Sequence, residues 1–119
     1  MYALVRRAHE ECVAAIHPGV EGNDIFKLSK KIIGDAGYGD YYNHGLGHGV
    51  GIDIHELPNF NRSKNIIEVG SVITMEPGVY LPAWAACAWR TTAWSPRTAT
   101  SPSPRRRMTF TSSIASPFR

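Results

Sequence analysis

Three of the chain's histidines, His44, His48 and His55, fall in the stretch HGLGHGVGIDIHELP, and a carboxylate, Glu76, follows in GSVITMEPGVYLP. Imidazole and carboxylate are donors that a divalent cation takes together, and an unligated imidazole beside such an ion can act as acid, base or charge stabiliser. The interleaved Gly45, Gly47, Gly49 and Gly51 would let another chain or a ligand approach the backbone closely. Spacing alone leaves a second reading open, in which these histidines are satisfied core or loop residues, because two ligands do not complete a metal site. His44 and His48 stand four apart, yet so much glycine works against a regular helix, so that spacing is not itself a metal argument. The chain has no phosphate-binding loop, Ser-His-Asp arrangement or CxxC pair to suggest a competing chemistry.

The elements that must carry these residues are readable from periodicity. Leu4, Val5, Ala8, Cys12, Ala15 and Ile16 recur at helical spacing, which predicts a helix over residues 2–16 that stops at Pro18-Gly19. Asn23 or Asp24 can cap a second helix with Ile25, Phe26, Leu28, Ile32 and Ile33 on its apolar face, ending at Gly34 and Gly37. His9 and His17 belong to this helical part and are expected at the surface or its boundary. Beyond the glycines, Val50, Ile52 and Ile54 alternate with Asp53 and His55, which predicts a half-buried strand carrying His55. A second strand is expected over Val69 to Glu76, broken at once by Pro77-Gly78. The fold class expected is therefore α+β, two helices followed by antiparallel strands.

Composition bounds the function. At 119 residues the chain suffices for one small domain. The N-terminus lacks the plan of a signal peptide and no apolar run is long enough to span a bilayer, so a cytoplasmic protein without a membrane partner is expected. Cys12 and Cys87 lack metal-type spacing and are too few for a disulfide framework, which fits a reducing compartment. The net charge of +3 conceals a split. Residues 1–82 hold all ten acids and seven Lys and Arg, whereas residues 83–119 carry six Arg, no Lys and no acid. That division predicts a folded unit over residues 1–82 and an Arg-, Pro-, Ser-, Thr- and Ala-rich tail over 83–119 that is disordered. A basic arm of this kind on a small α+β domain is one route to nucleic-acid binding. AWAACAWRTTAW is nevertheless too rich in Trp and Ala for an ordinary polar arm, which weighs against nucleic acid as the partner.

The composite HxxGHxxGxxxHE followed by TxEPGxY resembles the Xaa-Pro peptidase group of the M24 metallopeptidases, the aminopeptidase P and prolidase branch with the pita-bread fold. The resemblance runs over roughly residues 1–82, more weakly through YALVRRAHEECVAAIHPGV and GYGDYYNHG. It implies that His48 and Glu76 are ligands of a dinuclear centre of manganese, cobalt or zinc. It also implies that His44 lines the pocket for the proline side of the scissile bond, and that His55 steadies the tetrahedral intermediate or assists proton transfer. The substrate implied is a peptide with proline, hydrolysed by metal-activated water without a covalent intermediate, and relatives are often homodimers. Asp53 and Glu56 are expected to support the ligands from behind or to be structural, since the resemblance assigns ligands elsewhere. A non-catalytic pita-bread binding module is the alternative within the same fold.

The same resemblance leaves gaps. It implies five ligands, two Asp ahead of the region matched by this chain, one His and two Glu, and only His48 and Glu76 have counterparts here. The last Glu belongs to a GGVRxED segment soon after EPGxY, where this chain has no acid. Cys87 to Thr92 can be encoded by TGC GCG TGG AGG ACG ACG, and reading one base earlier after a preceding G gives Val-Arg-Val-Glu-Asp-Asp. The shift also lets Ala83 to Ala86 read Gly-Leu-Gly-Gly and makes Ala93 to Thr98 compatible with Gly-Val-Val-Thr-Glu-Asp. The expectation is a base lost near codon 82 or 83, out-of-frame translation afterwards, no closing strands from that segment, and an inactive peptidase fragment.

Overall fold

The computed structural model describes residues 1–61, 63–82 and 85–94. Helix α1 spans Tyr2–Ala14 and α2 spans Gly22–Asp35, packed against each other. The apolar spacing of α1 buries Val5, Ala8 and Cys12, and that of α2 buries Ile25, Ile32 and Ile33. Helix α2 starts two or three residues earlier than its polar residues suggest. Its cap is Glu21, without a side-chain hydrogen bond, and Asp24 lies inside the first turn, where a carboxylate is favoured by the helix dipole. The helix closes at Gly37, whose φ of 84° lets the chain turn back so that the Tyr38 N–H donates to the Ile33 carbonyl.

Six short strands follow: β1 Gly47–Gly49, β2 Glu56–Phe60, β3 Val72–Met75, β4 Gly78–Leu81, β5 Ala85–Ala88 and β6 Thr91–Trp94. One antiparallel sheet has the order β2-β1-β3-β6, and β4 pairs with β5 in a two-stranded sheet. One core cluster joins Cys12 and Ile25 of the helices to Leu46, Phe60, Ile67, Ile73 and Met75. A second gathers Val5, Ala8, Ile32, Ile33, Tyr42 and Val79. Burial pushes the Cys12 thiol up to about 12, helped by the charge of Glu11, so it is a packed apolar group and not a nucleophile.

Three expectations change. Residues 50–55 do not form a strand: they bend, leaving Ile52 and Ile54 exposed and His55 on a loop. The reason is local. The Glu56 carboxylate accepts the Asp53 N–H at 2.9 Å and the Gly51 N–H donates to the Asp53 carbonyl, so these groups are satisfied within the turn and not across a ladder. His9 is buried, not at the surface, with Nε2 2.5 Å from Thr91 Oγ1. Finally, residues 85–88 and 91–94 are strands, although their composition predicts none. They complete edges that β4 and β3 would otherwise leave open, through backbone pairing that small and β-branched residues permit. The remainder of the tail, residues 95–119, lies outside the described residues.

Candidate metal centre

His48 sits at the centre of β1, where the register against β2 slips between His48 and Gly49. Such irregularities re-aim a side chain. The strand is pinned to β3 by Thr74, whose Oγ1 accepts the His48 N–H at 3.1 Å. Gly47 is required here: a Cβ would collide with the Thr74 backbone carbonyl, and Gly49 meets Leu57 in the same way. Glu76 follows β3 directly, held by donation of its N–H to the Leu46 carbonyl at 2.6 Å. Two adjacent strands and their exits therefore aim imidazole and carboxylate at one point.

The His48 Nε2 and Glu76 Oε1 atoms are 3.7 Å apart, both side chains mostly buried. His48 Nδ1 lies 2.9 Å from the Gly49 carbonyl. A carbonyl only accepts, so Nδ1 carries a proton, and in the neutral ring Nε2 turns its lone pair toward Glu76. Glu76 Oε1 is buried and has no hydrogen-bond partner among the described residues. Two lone pairs facing each other across 3.7 Å suit a shared cation, since donors about 2.1 Å from one ion stand about 3 to 4 Å apart. The Nδ1–H to backbone carbonyl bond is also the orientation that metal-ligating histidines adopt. The pair therefore fits one cation. It does not make a closed site: no group of three or more His, Cys, Asp or Glu able to hold a metal occurs among the described residues.

His55 is brought into the same place by the loop, its ring centroid 4.3 Å from that of His48. His44 is not. Its Nδ1 faces the Gly45 carbonyl at 2.7 Å and its ring lies edge-on between Tyr42 and Tyr80, with centroids 5.2 and 5.3 Å away. It borders a cavity of about 320 Å³ with Phe26, Lys30, Asn43, Asn61 and Ser63. Asp53 and Glu56 shape the loop between His48 and His55.

One residue of the site went unnoticed in the sequence. Arg90, between β5 and β6, places a guanidinium nitrogen 2.8 Å from Glu76 Oε2, while its side chain as a whole is 70% exposed. The available signal was positional: in the shifted reading the Glu codon of GGVRVEDD straddles codons 89 and 90.

The family model of metallopeptidase family M24 matches residues 1–96. An uncharacterised peptidase of Staphylococcus epidermidis is 46% identical over 83 residues, 69% of this chain and 24% of the relative. The Xaa-Pro dipeptidase of Pyrococcus horikoshii is 39% identical over 83 residues, with the same coverage. The solved prolidase from Pyrococcus furiosus superposes with a TM-score of 0.77 at 36% identity, covering 80% of this chain and 28% of that one. The chain thus spans about a quarter of the length of the relatives it matches. With a match over most of its residues, helices and antiparallel strands like those of solved prolidases, and an imidazole and a carboxylate aimed at one point, the chain belongs to metallopeptidase family M24.

Proposed function

We propose that this chain is part of the catalytic domain of an Xaa-Pro peptidase, a cytoplasmic enzyme that hydrolyses the bond next to proline with two divalent ions. As an isolated chain it is inactive. The observation that carries this reading is the facing of His48 Nε2 and Glu76 Oε1 at 3.7 Å, with Oε1 buried and lacking a hydrogen-bond partner among the described residues. His48 and Glu76 would hold one ion, which supplies polarisation of the peptide carbonyl and activation of water when bound. Manganese, cobalt and zinc all suit imidazole and carboxylate donors.

The chain's own residues divide the remaining work. Thr74 fixes the strand that bears His48, and the Gly49 carbonyl fixes its tautomer. His55, on an exposed loop beside His48, would steady the tetrahedral intermediate or assist proton transfer to the leaving nitrogen. His44, edge-on to two tyrosines and bordering a cavity, lines the proline side. Inactivity follows from donor count: one imidazole and one carboxylate leave most of the charge of two cations uncompensated, so loading is weak. The absence of an acid after EPGVY fits a lost base near codon 82 or 83.

Cobalt(II) absorption titrations of the native chain, His48→Ala and Glu76→Gln test this. The native chain should show a weak band that either substitution removes, and no turnover of an Xaa-Pro dipeptide with added manganese. Equal cobalt binding by native and doubly substituted chains would overturn the site. Turnover by the native chain that His48→Ala abolishes would overturn the inactivity.

A further inference from the structure

Glu76 has two oxygens in different circumstances. Oε1 faces His48 Nε2 and lacks a hydrogen-bond partner among the described residues, whereas Oε2 receives an Arg90 guanidinium at 2.8 Å. Arg90 is delivered from the turn between β5 and β6, which the Trp89 N–H anchors by donating to the Pro77 carbonyl at 3.0 Å, one residue past Glu76. The guanidinium is therefore held at the carboxylate by the backbone on both sides of it.

We propose that Arg90 is a tethered cation that stands in for a metal at the His48–Glu76 pair, keeping the pair assembled and excluding divalent ions until it swings away. The proposal rests on the reading that this pair takes a metal. A carboxylate neutralised by guanidinium has lost the charge that draws a divalent ion, and the guanidinium repels the incoming ion at short range. The Arg90 stem is largely in solvent, so departure exposes little that is not already exposed. The effect is a competition between a tethered and a free cation, not a permanent seal. It also accounts for a mostly buried carboxylate remaining beside an imidazole in a site with too few ligands to load well.

Cobalt(II) and zinc(II) titrations of the full chain decide it. Arg90→Ala and Arg90→Gln should bind cobalt about 10- to 100-fold more tightly than the native chain, the range over which groups beside ligands tune a site. Arg90→Lys should remain at the native affinity. The gain should vanish when His48→Ala is added to Arg90→Ala. On the native chain, zinc that shifts the His48 ring resonances should also release the Arg90 guanidinium, seen in its Nε nitrogen resonance. Arg90→Ala binding no tighter than native, or an Arg90 resonance unmoved while His48 binds zinc, would overturn the proposal. Tight binding by Arg90→Ala that survives loss of His48 would overturn the metal-site reading instead.

Discussion

At the scale of single residues, burial and close approach decide what can be changed. His9 is buried against Thr91, and desolvation lowers its pKa from 6.5 despite the opposing charge of Glu10. A base whose folded pKa lies below its unfolded value is bound by fewer protons when folded, so stability rises with pH in that window. The native chain should therefore hold its full stability above about pH 6.5 and lose it as pH falls toward the lowered value. His9→Gln keeps a hydrogen-bonding group without titrating. Urea unfolding between pH 4.5 and 7.5 should show a shallower slope for the variant, and parallel curves would count against this role. Gly47 is limited sterically instead: an added Cβ would lie 2.0 Å from the Thr74 carbonyl oxygen. Gly47→Ala should cost about 3 kcal/mol by thermal unfolding, since backbone and not a flexible side chain must yield. It should also weaken cobalt binding, because the same strand aims His48.

At the scale of elements, the strands after Pro82 shield two edges. β6 pairs Thr91, Thr92, Ala93 and Trp94 with Met75, Thr74, Ile73 and Val72, and β5 pairs along β4. A chain ending at residue 82 would bare β3 and β4 while Ile73, Met75 and Val79 depend on them for burial. Size-exclusion chromatography should find residues 1–82 as soluble aggregates and the full chain as a defined species; a monodisperse short form would contradict the shielding role. What could be read ahead of the structure follows a physical line. Both helices were legible because a helix satisfies its backbone within itself, so Val5, Ala8, Cys12 and Ile25, Ile32, Ile33 declare the buried face by spacing alone. His48 and Glu76 were legible as a pair through motif resemblance. A strand needs a partner, and alternation at Val50, Ile52 and Ile54 carries no information about one; the turn closed by Glu56 takes that segment instead. For the same reason β5 and β6 were illegible, since an open edge recruits backbone with little regard to side chains. Arg90 was hidden because its partner stands across two turns of chain.

At the scale of the whole molecule, charge links the site to the segment that closes it. Acids are confined to residues 1–82 and the charged residues after them are all arginines, so the strand pair delivered to Glu76 brings arginine to the carboxylate proposed as a metal ligand. No described helix is long and apolar enough to cross a membrane. If a single base was lost near codon 82 or 83, the strands should accept the shifted text Gly-Leu-Gly-Gly-Val-Arg-Val-Glu-Asp-Asp-Gly-Val-Val-Thr-Glu-Asp over residues 83–98. That replacement exchanges two arginines for one arginine and five acids and sets Glu at the place of Arg90. Both changes act in one direction, removing the competing cation and adding a donor beside Glu76. Cobalt affinity should then exceed that of Arg90→Ala by about tenfold, the scale of one further ligand-adjacent group. A restored chain that binds cobalt no better than Arg90→Ala would mean that the strands do not carry their carboxylate to the site, and the lost-base account would fail with it.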